Sequence, residues 1–227
     1  MRIAILGTGM VGRALAEGLV AGGHDLVMGT RDPDDTMART EPDRMGNPPF
    51  PQWYREHTGI GLLPLAELGP DAEVVVNATS GAATLEALEA VGEEALGGKP
   101  LVDVANPLEF STGRLALFTP STDSLAERIQ RTFPDARVVK ALNTMNASVM
   151  ISPSDLPGDH LVPIAGDDEE AKATVRSLLA DLGWREEQVL DLGALTAARG
   201  MEAWLLLWID LLQTLGTPQF NLSLSRR

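Results

Sequence analysis

Residues 7–12, Gly7-Thr8-Gly9-Met10-Val11-Gly12, stand directly behind the apolar run of residues 3–6 and open a helix-patterned segment. Few short stretches restrict a fold as much. The first glycine of such a turn permits the sharp reversal from strand to helix. The second leaves room for a pyrophosphate against the backbone, and the third lets the helix pack close to the strand. The free N–H groups and the positive end of the helix then hold the anion. Gly7, Thr8, Gly9, Met10, Val11 and Gly12 are therefore read as the phosphate-binding turn of a dinucleotide fold. The competing reading is a glycine-rich turn with no ligand.

Beyond this turn the chain keeps the same rhythm. Short apolar runs recur at residues 26–28, 74–76, 101–104 and 138–139. Runs of this length suit strands buried on both faces of a parallel sheet. Between them lie helical patterns at residues 11–21, 84–96 and 124–133, the last opened by the capping-box pair Ser124 and Glu127. Alternation of this kind predicts a Rossmann-type, doubly wound α/β sheet. Residues 1–148 are assigned to a nucleotide-binding domain. Residues 149–227 form a small C-terminal α/β region for substrate or dimerisation, with strands near 160–166 and 188–193, a helix after Asp167-Asp168, and an apolar helix over 196–215. Residues 32–58, rich in proline and carrying Trp53-Tyr54, have no period and are read as a long loop with some helix. Such an insertion is either a lid over a site or a variable surface loop.

The choice of dinucleotide falls to Gly29-Thr30-Arg31-Asp32. An acidic residue closing the second strand would bind the ribose hydroxyls of NAD. The strand reads as ending at Gly29, so Thr30 and Arg31 come first. A hydroxyl beside a guanidinium suits the 2′-phosphate of NADP. The alternative is a solvated Arg31 paired with Asp32 or Asp34.

Composition removes other classes. A net charge of −14 disfavours nucleic acid and anionic membrane as partners. With no cysteine there is no disulfide framework, thiolate nucleophile or cysteine-based metal site, which agrees with a cytoplasmic protein. Residues 201–215 are strongly apolar but too short and too polar for a membrane span, which needs about 20 apolar residues. The run Asp167-Asp168-Glu169-Glu170 is read as a negatively charged helix start, and no metal is expected.

Several blocks together resemble one family. They are GTGMVGRALAEGL at residues 7–19, MGTRDP at 28–33, DVANPL at 103–108, RVVKALNTMNA at 137–147, IAGDDEEAK at 164–172 and DLGALTAARGMEAW at 191–204. In this order they resemble the NADPH-dependent F-420 reductases, and the resemblance covers nearly the whole chain. It implies that Thr30 and Arg31 bind the 2′-phosphate of NADP(H). It also implies that the nicotinamide lies across strand ends carrying Ala78, Thr79, Ser80, Asn106, Pro107, Asn143 and Thr144. The second substrate implied is a deazaflavin, or a flavin, stacked on the nicotinamide for direct hydride transfer. Archaeal members carry a histidine at the place of Asn143.

Hydride transfer between stacked rings asks the protein for distance, orientation and dryness more than for acid–base groups. No catalytic residue is assigned. Asn106, Pro107, Lys140, Asn143, Thr144, Met145 and Asn146 are candidates to line the substrate. Lys140, one of three lysines, would either orient a substrate or pair with Asp103. His24, His57 and His160 are expected to be structural or exposed. The residues thus point to an NADPH-dependent oxidoreductase with a small planar redox acceptor. The alternative is an NADP(H) sensor without turnover, its pocket filled by Met145 and Met150. A homodimer is expected through the helix of residues 196–215, which is apolar around nearly its whole circumference.

Overall fold

The computed structural model describes residues 1–43, 46–110 and 115–225. The first half alternates β1 (Arg2–Leu6), α1 (Met10–Ala21), β2 (Asp25–Thr30), α2 (Pro33–Met37), α3 (Phe50–Glu56), β3 (Gly61–Pro64), β4 (Val74–Asn77), α4 (Thr84–Val91), α5 (Glu93–Leu96) and β5 (Pro100–Asp103). A short hairpin comes next, β6 (Leu108–Glu109) and β7 (Ala116–Leu117). The chain then runs through α6 (Leu125–Thr132), β8 (Arg137–Ala141), α7 (Ala147–Ile151), β9 (Val162–Gly166), α8 (Glu169–Asp181), β10 (Val189–Asp191) and α9 (Ala198–Leu215).

Eight strands form one sheet in the order β10-β9-β8-β5-β4-β1-β2-β3. From β3 to β8 all neighbours are parallel, in the doubly wound order of a Rossmann fold. β9 runs antiparallel to β8, and β10 runs parallel to β9, so the C-terminal segment extends the same sheet. Residues along each strand alternate between two cores. Ile3 and Ile5 join Leu15, Leu19 and Val175 on one face, whereas Ala4 and Leu6 join Leu88, Leu125 and Ile129 on the other. That period of two is why the strands read as continuous apolar runs: both faces are covered by helices.

Several elements differ from the sequence reading. The helix expected over 84–96 is broken at Gly92, whose φ of 93° ends α4 and restarts the chain as α5. β3 is an unexpected strand, because Gly61-Leu62-Leu63-Pro64 is short and ends in proline; it survives at the sheet edge, where a missing N–H costs little. The 32–58 insertion contains α2 and α3. It is anchored by Arg13, which donates to the Pro48 carbonyl at 2.7 Å and pairs with Asp43 at 3.3 Å. Residues 44 and 45 of that insertion lie outside the described residues. Phe50, Trp53 and Tyr54 pack as an aromatic cluster, and the Trp53 indole donates to the Glu17 carboxylate on α1.

One buried ion cluster joins the two halves of the chain. Lys140 on β8 is wholly buried, with Nζ 2.8 Å from Asp103 of β5 and 3.0 Å from Glu202 of α9. Asp103 also accepts from the Asn77 amide at 2.8 Å, and Glu202 accepts from the N–H groups of Leu125 and Ala126 at the start of α6. Burial alone would discharge the lysine, but the two carboxylates outweigh it and hold its pKa above the ordinary lysine value. Removing one member leaves buried charge uncompensated. Lys140→Met should therefore lower stability by about 3–5 kcal/mol in chemical denaturation. A change below about 1 kcal/mol, on the scale of an exposed pair, would contradict this account.

Candidate dinucleotide site

A cleft of about 250 Å³ opens at the carboxyl ends of the strands, lined by Gly7, Thr8, Gly9, Thr30, Arg31 and Arg39 on one side. Leu65, Ala83, Ala87 and Ala90 give it apolar lining, and Ala78, Thr79, Ser80 and Glu86 line it as well. The three fingerprint glycines have different reasons to be glycine. Gly7 has φ 107°, and a Cβ there would lie 2.6 Å from the Ala78 carbonyl oxygen. A Cβ at Gly12 would lie 2.2 Å from the Gly7 carbonyl oxygen, so the close approach of α1 to β1 excludes it. A Cβ at Gly9 would meet no atom within 4 Å. The fold does not need Gly9 bare, and Gly9 lines the cleft. Gly9 also leaves the start of α1 without a side-chain cap. Those free N–H groups suit a pyrophosphate.

At one end of the cleft the strand is longer than the sequence suggested. β2 continues through Thr30, and Asp32 lies beyond it as the N-cap of α2, accepting from the N–H groups of Asp34 and Asp35 at 2.8 and 3.1 Å. Asp32 Oδ1 is thereby engaged by the helix start. The Thr30 hydroxyl is 2.7 Å from that of the fully buried Thr36, and Arg31 is exposed on the cleft wall.

Beyond the cleft, further along the sheet, lie the ends of β5 and β8. A Cβ on Gly81 would lie 2.1 Å from the Asn106 carbonyl oxygen, so Asn106 abuts the segment after Ser80. Asn106 and Asn143 exchange two hydrogen bonds: the Asn106 amide donates to the Asn143 carbonyl, and the Asn143 amide donates to Asn106 Oδ1, both at 2.9 Å. Leu142 precedes Asn143 in the left-handed region, φ 63°, which turns the chain sharply out of β8. Such a conformation costs a non-glycine residue about 1 kcal/mol or more and is sustained here by its buried surroundings. The Asn143 amide donates as well to the Met201 carbonyl, and the Trp204 indole donates to the Thr144 carbonyl at 3.0 Å, tying α9 to this edge. Among the described residues Asn143 Oδ1 and Thr144 Oγ1 are buried without partners.

None of the seven expected lining residues lines this cleft, and Asn143 and Thr144 are almost wholly buried, each 2% exposed. Lys140 does not reach the surface; its charge is consumed by Asp103 and Glu202. Met145 is packed in the core beside Leu142 and Val149, with Met150, instead of facing a ligand. Asn146 caps α7 by accepting from the Ser148 N–H at 3.0 Å. Pro107 is buried. Met10 and Val11 begin α1 as expected. His24 pairs with Asp181, His57 stacks on Trp53, and buried His160 sits 2.9 Å from the Pro153 carbonyl. Of the acidic run, Asp168 caps α8 through the Ala171 N–H, while Glu169 and Glu170 pair with Lys172 and Arg137. Sequence reasoning missed Arg39 and Leu65. Leu65 comes directly after β3, the strand that the pattern hides, and Arg39 lies in the aperiodic insertion.

The contrast among the glycines can be tested. Gly9→Ala should leave the melting temperature of the free chain unchanged and weaken NADPH binding about tenfold or more, or about 1.4 kcal/mol. Gly12→Ala should destabilise the free chain by about 1–3 kcal/mol, the usual cost of overpacking. Equal melting temperatures for both variants would refute the distinction.

Comparison with known proteins bears on family and fold. Residues 2–107 match the family model described as NADP oxidoreductase, coenzyme F420-dependent. The chain is 29% identical over 209 residues to the F420-dependent NADP reductase of Methanothermobacter marburgensis, covering 89% of this chain and 88% of that one. It is 32% identical over 203 residues to the metalloreductase STEAP3 of Rattus norvegicus, covering 89% of this chain but only 36% of that longer protein. The crystal structure of a candidate F420-dependent NADP reductase from Arthrobacter sp. FB24 superposes with a TM-score of 0.93 at 51% identity, covering 99% of each chain. Among the described residues no helix is long and apolar enough to cross a membrane. The chain belongs to the family of F420-dependent NADP oxidoreductases.

Proposed function

We propose that the chain binds NADP(H) along the strand ends from β2 to β8 and catalyses hydride transfer between the nicotinamide and a planar redox acceptor, such as the deazaflavin F-420 or a flavin. The observation that carries the cofactor half is the pairing of a bare Gly9 with Thr30 and an exposed Arg31, while Asp32 Oδ1 is engaged as a helix cap. The acceptor half rests on the family.

The cofactor, when bound, supplies the hydride, so the protein needs no acid or base at the reacting carbon. In this reading the backbone of residues 7–12 holds the pyrophosphate, with Gly9 giving clearance. Thr30 and Arg31 take the 2′-phosphate. Leu65, Ala83 and Ala87 cover the adenine. Five adjacent strands, β2-β1-β4-β5-β8, separate the two ends of the site by about 19 Å at ~4.8 Å per strand. Asn106, half-buried and held by the buried Asn143, stands at the far end as a neutral amide edge for the nicotinamide or the acceptor ring. We assign the second chain of a homodimer to α9, whose Met201, Leu205 and Trp208 face the core while Leu206 and Leu207 stay 38% and 50% exposed.

NADPH oxidation should be followed with F-420, FMN, FAD and simple quinones as acceptors. Turnover with a planar acceptor is expected; binding of NADPH with no turnover on any of them would leave a sensor and defeat the enzyme reading. Arg31→Ala should weaken NADPH by about one to two decades and barely affect NADH, since one charge-assisted contact to phosphate is lost. Light scattering should give a mass of twice 24.2 kDa. A clean monomer would remove the assignment of α9.

A further inference from the structure

In this chain most guanidinium groups with described placement are neutralised. Arg13 pairs with Asp43, Arg128 with Asp123 and Arg199 with Glu127. With 32 acidic residues against 18 basic ones, carboxylates are not scarce. Yet two arginines that line one cleft, Arg31 and Arg39, have no carboxylate partner among the described residues, and Glu86, which lines the same cleft, pairs with neither. Both arginines are solvent-exposed, so water carries their charge in the free chain, and an anion entering the cleft would take the place of that water.

Arg39 is held in place by hydroxyls. Its Nη1 donates to Thr8 Oγ1 at 3.3 Å and its Nη2 to Thr36 Oγ1 at 3.2 Å; Thr36 Oγ1 is in turn 2.7 Å from Thr30 Oγ1. The guanidinium therefore bridges the glycine turn and the end of β2. Both contacts are long bonds to neutral oxygens. They orient the fork and leave its charge uncompensated, with N–H capacity to spare. Three threonines and two arginines thus converge where the cleft meets Thr30.

We propose that Arg39 is a second 2′-phosphate ligand and a determinant of NADP over NAD specificity, delivered to the cofactor by the 32–58 insertion. This rests on the NADP reading above and extends it to a residue outside the glycine turn and the β2 end. The placement gives the insertion a purpose. α2 is capped by Asp32 and ends at Met37, which sets Arg39 two residues beyond it; the chain is then fastened to α1 by Arg13 through Asp43 and Pro48. The fastening holds the loop over the glycine turn, and a second cleft shared by Thr8, Gly9, Arg13 and Arg39 lies beneath it. Arg31 and Arg39 would grip the dianionic phosphate from two sides, and a planar fork matches phosphate oxygens better than an ammonium does.

Calorimetric titration of the full chain with NADPH and with NADH tests this. Arg39→Ala should weaken NADPH roughly tenfold to a hundredfold, leave NADH affinity unchanged and leave the melting temperature of the free chain unchanged. Arg39→Lys should restore part of the loss, because charge returns without the fork. If Arg39→Ala keeps the full preference for NADPH, or weakens both cofactors equally, Arg39 is not a 2′-phosphate ligand while the NADP reading stands. A wild-type chain that binds NADH as tightly as NADPH overturns both.

Discussion

The contact between the Gly7 carbonyl and Gly12 governs this structure. α1 lies so close to β1 that no Cβ fits between them, and this closeness aims the unpaired N–H groups of the first helical turn at the carboxyl edge of the sheet. The same helix carries Leu15 and Leu19 into one core and Arg13 and Glu17 toward the insertion. In a chain of net charge −14, an anionic ligand needs such local fields, because the overall charge opposes it.

The Lys140 cluster is the second fixed point. It lies at the ends of β5 and β8, close in sequence to the reciprocal amide pair of Asn106 and Asn143. Glu202 brings α9 into the cluster and caps α6 with the same carboxylate. One buried group thus links the C-terminal helix, a helix start and two strand ends. A lysine next to a site is easily taken for a catalytic group. Here both carboxylates fully engage it, and its role is to hold the ends of the strands that carry the asparagines.

Cofactor choice depends on how local capping competes with ligand binding. An aspartate just past the second strand has two available uses: ribose hydroxyls or helix N–H groups. With proline at the first position of α2, the N–H groups of Asp34 and Asp35 engage Asp32 Oδ1 at the helix start. That leaves Thr30, Arg31 and Arg39 in the cleft lining. The insertion, anchored by Arg13 and the aromatic cluster on α3, contributes Arg39 to the lining of the cleft.

Much of this was legible in the residues. The fingerprint, the buried runs and the Ser124–Glu127 cap are local signals with fixed spacing, and they specify βαβ units whatever the distant chain does. Thr30, Arg31 and the lining at Ala78, Thr79 and Ser80 come with those units, because ligands of an open α/β sheet lie at the carboxyl ends of its strands. Other features depend on partners far apart in sequence, whose approach no local pattern encodes. Lys140 is neutralised by residues 37 positions before it and 62 after it. Leu142 turns left-handed only because packing holds it there, and Met145 is core because α7 folds back onto α1. Arg39 reaches Thr8 across 31 residues of chain. The sequence by itself determined the strand–helix order and the phosphate turn, since backbone sterics and hydrophobic period act over a few residues. Tertiary structure alone decided which charges are buried, which are paired and which face the cleft, because those outcomes depend on which side chains the folded sheet brings within hydrogen-bond reach.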